Sequence, residues 1–167
     1  MNREWDKKFV EELAQALASL GITVYTGDIA GSDAVITEAD GEKLPAGCTV
    51  TVEHYAEDAA AVYMFFPLYG GLDGGTLGDL IRLVRYMNKY LTIGSFTVNT
   101  DDGELYYHHS FIIEEDMDKA VLFGLVGDTL DIASQTAAMG ADIASRVIDG
   151  TTPVSELLND DAGAIYQ

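Results

Sequence analysis

Residues 83–115 constrain the fold of this chain more than any other stretch. In order they dictate the end of an amphipathic helix, a glycine, a strand, a tight turn and a second strand. Leu77, Leu80, Ile81, Val84, Met87 and Leu91 recur at the spacing of one helical face, and Thr76 with Asp79 makes an acidic variant of a capping box at its start. From Ser95 to Asn99 the period changes to two, with Phe96 and Val98 alternating with polar neighbours. Asp102-Gly103 then supplies the positive φ that a hairpin turn needs. A helix that runs directly into a hairpin belongs to an α+β fold, in which an antiparallel sheet is covered by packed helices.

The flanking chain extends this pattern. Trp5, Phe9, Leu13, Leu17 and Leu20, widened by Ala14 and Ala16, predict a helix over about Arg3 to Leu20, capped by Asn2 and closed by Gly21. Short strands are expected over Ile22 to Thr26 and Ala34 to Thr37, punctuated by Gly27, Gly31 and Asp40-Gly41. Cys48 to Tyr55 alternates, with Cys48, Val50, Val52 and His54 on one face. After a turn at Ala56 to Ala59, Ala60 to Phe66 is apolar at nearly every position, as expected of a strand central in the sheet or covered on both sides. Pro67 ends its pairing, and Gly70, Gly71, Gly74 and Gly75 make a loose, mobile connection.

Beyond the hairpin, Asp116 or Asp118 caps a long helix through about Ile148, with Val121, Leu125, Ile132, Met139, Ile143 and Val147 expected to face inward. Gly124, Gly127 and Gly140 interrupt it, each costing about 1 kcal/mol relative to alanine, so each needs a reason such as close approach to the sheet or another helix. Gly150 stops the helix and Thr152-Pro153 opens a short final one. The predicted order is α-β-β-β-α-β-β-α with room for one extra early strand, forming a single domain over residues 1–158 before an acidic tail over 159–167.

Composition limits the partners. The 167 residues are 48% apolar, enough for one core, while 28 acidic against 9 basic residues give a net charge of −19. Such a field repels nucleic-acid phosphates and anionic lipid headgroups, which argues against nucleic-acid binding. One cysteine, Cys48, makes no internal disulfide. The start lacks the apolar core of a signal peptide and no run is long enough to span a membrane, so a cytoplasmic location is expected.

No pattern assembles a catalytic, metal or cofactor site. His108 and His109 are strand neighbours that point to opposite faces, so they cannot share an ion. Cys48 and His54 share a face but lie roughly 20 Å apart along it, too far for a nucleophile and its base. The GGLDGGT loop precedes a helix as a phosphate cradle does, yet it lacks the Walker lysine and Asp73 and Asp79 would repel phosphate. Arg82, Arg85 and Lys89 concentrate scarce positive charge on one side of the helix before the hairpin, flanked by Tyr86 and Tyr90. Tyrosine with arginine is enriched where proteins meet proteins, so Arg82, Arg85, Tyr86 and Lys89 are the candidate partner-binding residues.

The run MNKYLTIGSFTVNTDDGELYYHHSF resembles the central segment of bacterial YbjN-domain proteins. Asn88, Gly94, Ser95, Phe96, Asp102, Gly103, Tyr107, His109 and Ser110 carry the match, with His108 in place of the usual basic residue. The resemblance implies a fold like that of type III secretion chaperones, small α+β proteins with a curved antiparallel sheet. It also implies a non-enzymatic, chaperone-like or regulatory module that forms a homodimer, carries no cofactor and binds a protein partner through sheet and helix surfaces. Two other readings stay open: a small enzyme whose site folding assembles around Cys48 or a histidine, and an acidic decoy for a basic partner.

Overall fold

The switch from a helical to a twofold period at each end of residues 83–115 is reproduced in the computed structural model, which describes residues 3–41, 43–54, 56 and 58–159. The elements are α1 (Arg3–Ser19), β1 (Val24–Ile29), β2 (Ser32–Thr37), β3 (Cys48–His54), β4 (Ala59–Tyr69), α2 (Gly74–Met87), β5 (Ser95–Asn99), β6 (Glu104–Glu114), α3 (Lys119–Ile148) and α4 (Val154–Asn159). The strands form one open antiparallel sheet in the order β1-β2-β3-β4-β6-β5, the α+β class expected, with the extra early strand present. The chain makes two compact units, Met1–Phe66 with His108–Thr136 and Pro67–Tyr107 with Ala137–Gln167.

In the first unit, Phe9, Val10, Leu13 and Leu17 of α1 are buried together with Val35, Val50, Val52 and Met64 from the strands and Leu122, Val126 and Leu130 of α3. Gly21 closes α1 at φ +79°, its amide donating to Ala18 and that of Ile22 to Leu17, the paired bonds of a left-handed helix stop. The first hairpin differs from expectation, since Gly27 lies inside β1 and the turn falls at Ala30-Gly31, both with positive φ. That two-residue geometry matches the twist of the flanking strands, which is why an alanine is held there. In cross-strand register Tyr25, Ile36, Thr49 and Phe65 stand in one row on the face opposite the buried valines. β4 is therefore central but open on one face, with Tyr63 and Phe65 both exposed.

Ser134, fully buried on α3, donates to the Ala46 carbonyl and accepts from the Ala46 amide, fastening the loop before β3. The Asn2 cap, Tyr55 and tail residues 160–167 lie outside the described residues.

In the second unit, Leu77, Leu80, Leu83, Val84 and Met87 form the buried face of α2. The helix begins earlier than Thr76. Asp73 is the cap, accepting from the amides of Gly75 and Thr76, while the Thr76 hydroxyl donates to the same carboxylate. Those three donors hold the Asp73 carboxyl below its ordinary pKa, the Thr76 amide contributing most. The glycine loop is thus a cap and first turn, tied down further by the Leu72 amide on the Gly103 carbonyl. Gly103 has φ +67°, and a Cβ there would lie 2.8 Å from the Leu72 oxygen, so conformation and space both demand glycine in this turn.

Two further expectations are corrected. β4 continues through Pro67 to Tyr69, beyond the end of its register with β3 at Thr49 opposite Phe65. On α3 the inward stripe is Leu122, Val126, Leu130, Ala133, Ala137, Ile143 and Ala144, whereas Val121, Leu125, Ile132 and Met139 are exposed. The helix is apolar on more than one side, so periodicity alone could not choose between neighbouring stripes.

Candidate functional site

The second unit presents α2's outer face. Buried residues at three- and four-residue spacing on one side of α2 leave Arg82 and Arg85 exposed and Tyr86 half-buried on the other, and Lys89 is exposed just past the Asn88 cap; the three cations are a third of the chain's nine basic residues. Arg82 approaches Asp79 at 3.6 Å, one turn back, with both side chains about half exposed. Such a pair is weak and leaves the guanidinium available to a partner. Tyr86 and Tyr90 meet edge to face at 5.3 Å, and Tyr90 is 44% exposed. The structure brings all four predicted residues onto one surface.

The C-terminal end of that helix is built into the hairpin by one side chain. Asn88 caps α2, and its amide group reads the β5 backbone: Nδ2 donates to the Phe96 carbonyl while Oδ1 accepts from the Phe96 amide, both at 2.9 Å. Phe96 in turn contacts Tyr107 at 5.0 Å between ring centres, and the Tyr107 hydroxyl donates to the Ile93 carbonyl. Burial pushes the Tyr107 phenol up to about 12. These contacts give Asn88, Phe96 and Tyr107 of the family-like motif an architectural role that supports the α2 surface.

In the first unit, His54 ends β3 between two carboxylates that nothing in the sequence connects. Nδ1 lies 2.7 Å from Asp6 of α1, and Nε2 bonds Glu115. Ionised carboxylates only accept, so the arrangement favours an imidazolium that donates from both ring nitrogens. Burial works against that charge, but the hydrogen bonds and negative charges of Asp6 and Glu115 outweigh it and raise the pKa above the ordinary value. Trp5 stands edge-on to the ring at 5.5 Å. The two carboxylates take opposite edges of the imidazole, so they do not converge on an ion. Among the described residues, no group of three or more His, Cys, Asp or Glu side chains could hold a metal.

Of the remaining candidates, Cys48 lacks access. Cys48 is 2% exposed and burial drives its thiol pKa strongly upward, which removes the thiolate a nucleophile needs. His109 stacks on Phe111 at 5.8 Å, and burial together with His108 lowers its pKa, favouring a neutral ring. A small cavity of about 160 Å³ between α1 and the start of α3 has Trp5, Phe9 and Phe123 in its walls, with Lys119 bonded to Glu12 at its rim. Lys8 and Glu115 also line it, so its walls are mixed apolar and charged.

Residues 10–142 match the YbjN family, described as "Putative bacterial sensory transduction regulator". Among solved structures the chain is similar to the crystal structure of YbjN from E. coli, titled a "putative transcription regulator", with a TM-score of 0.50 and 9% identity. That match covers 80% of this chain and 92% of the E. coli chain. A second similar structure is an uncharacterized protein from Methanothermobacter thermautotrophicus, with a TM-score of 0.44 and 10% identity over 90% of this chain and 99% of that one. No curated protein matches the sequence. At 9% identity the likeness to the E. coli protein establishes a shared fold and carries no site from one chain to the other.

Proposed function

The chain belongs to the YbjN family, and from that premise we propose that it is a non-enzymatic regulatory or chaperone-like module that binds a protein partner through α2. The reading treats the chain as one YbjN-like domain in the cytoplasm, working as a homodimer. Family membership supports the regulatory role, while the dimer and the location rest on the chaperone-like resemblance and the sequence.

The observation that carries the α2 assignment is the concentration of exposed Arg82, Arg85 and Lys89 beside half-buried Tyr86 on the outer side and C-terminal end of α2, in a chain with net charge −19. In such a field, cations on the surface are sites where an acidic or aromatic partner gains both attraction and orientation. The partner should present carboxylates to the guanidinium groups and an apolar or aromatic side chain to Tyr86.

The test is partner capture from the native cell with the wild-type chain and with Arg82→Ser, Arg85→Ser, Tyr86→Ser and Lys89→Ser combined. A partner retained by the wild type and lost by the fourfold variant, whose unfolding midpoint is otherwise kept, supports the assignment. Equal retention by both chains refutes it. Sedimentation velocity on the purified chain checks the homodimer, and a strictly monomeric boundary at all concentrations rejects that part of the reading.

A further inference from the structure

Helix α3 leaves one face of the first unit without a role. Val121, Leu125 and Ile132 are 61%, 40% and 53% exposed. With Asp128 among them they follow the alternating four- and three-residue spacing of a seam that meets another helix. Beside this stripe stand Gly124 and Gly127, where a Cβ would meet nothing within 4 Å. Neither glycine serves close packing inside the chain, although each weakens the helix. They floor an open groove of about 410 Å³ walled by Leu17, Leu20 and Phe123, with Leu20 itself 62% exposed.

Charge identifies the occupant. Asp128 and Asp131 line the groove, Asp131 accepting from Gln135 one turn on, while the lining Lys43 donates to the Leu20 carbonyl at the end of α1. We propose that this face docks a cationic amphipathic helix of another protein. Its apolar side chains would lie on Val121, Leu125 and Ile132, its backbone would cross Gly124 and Gly127, and its lysines or arginines would meet Asp128 and Asp131. A second copy of this chain fits poorly, because it would set Asp128 and Asp131 against their own duplicates in a molecule that already carries −19. An extended strand does not match the seam, since its side chains repeat every two residues. The surface shares no residue with the α2 patch, so it stands or falls separately from the proposed function.

The test uses a fluorescent leucine-lysine peptide of about 18 residues, long enough to cover the seam as a helix. A scrambled peptide of the same composition without an apolar face is the first control, and a leucine-glutamate analogue is the second. Binding is followed by fluorescence anisotropy at about 0.15 M salt, where long-range attraction is largely screened. The amphipathic cationic peptide should bind at least about tenfold more tightly than either control. Gly124→Gln with Gly127→Gln should raise the Tm by about 2–4 °C through better helix propensity while weakening the peptide about tenfold or more. Asp128→Lys with Asp131→Lys should also weaken it at least about tenfold. The fourfold α2 variant should bind it as the wild type does.

Equal affinity for the scrambled peptide would reduce the effect to net charge and overturn the proposal. So would wild-type affinity in the glycine variant, which keeps the fold by its higher Tm. Self-association of the wild-type chain in sedimentation that the glycine variant abolishes would give the face to a second copy and overturn it as well.

Discussion

Both N–H groups of His54 point at carboxylates, so proton binding and folding are linked at this one side chain. A base whose pKa is raised by folding binds its proton more tightly in the folded state. Its contribution to stability is complete below the unfolded value of about 6.5 and fades as the pH rises through the higher folded value. Urea midpoints of the wild type and His54→Gln should therefore differ most near about pH 6 and converge toward about pH 9. A difference that stays constant across that range would show that the imidazolium is not what Asp6 and Glu115 hold. Asn88 makes a second residue-level case, because its side chain satisfies both polar groups of the Phe96 backbone. Asn88→Ala should lose about 1–3 kcal/mol in urea unfolding. Asn88→Asp keeps an acceptor for the Phe96 amide but cannot donate to its carbonyl, so it should fall between the two. An alanine variant as stable as the wild type would remove the structural role given to this residue.

At the scale of elements, two glycines of α3 predict opposite outcomes for one substitution. A Cβ at Gly140 would lie 2.1 Å from the Phe96 ring, so Gly140→Ala must displace that ring, at a cost of about 1–3 kcal/mol. Gly124→Ala meets open space and should gain about 0.5–1 kcal/mol from helix propensity. Thermal unfolding of the two variants checks both signs, and a loss at Gly124 as large as that at Gly140 would contradict the distinction. The need for a reason at each interior glycine was legible in the sequence, but the reasons differ and only tertiary contact separates them. β5, the Gly103 turn, the buried face of α2 and the Asp118 cap of α3 were legible because each rests on local chemistry. The buried stripe of α3 was not, since a helix apolar on several sides lets its neighbours choose the face. The Ala30-Gly31 turn was missed because an alanine at φ +53° advertises nothing by its type. Asp6 and Glu115 lie far from His54 in sequence, and no spacing rule links them to it. The grouping of Arg82, Arg85 and Tyr86 on one side of α2 follows from helical spacing, whereas their use by a partner is a proposal.

For the molecule as a whole, acidity and the sealing of Cys48 set what the chain can do. A net charge of −19 disfavours phosphate-bearing partners and favours surfaces that supply cations or that seek the few cations presented. No helix of the described residues is long and apolar enough to cross a membrane. The matching family is described as a "Putative bacterial sensory transduction regulator", and under the two proposals the outer face of α2 and the exposed face of α3 would take partners of opposite charge. The central claim is that function lies in partner binding by α2, and the affinity of a captured partner for the wild type and for the fourfold α2 variant tests it most directly. Loss of at least about tenfold in affinity with an unchanged unfolding midpoint is the predicted result. Equal affinity for the two chains would contradict it.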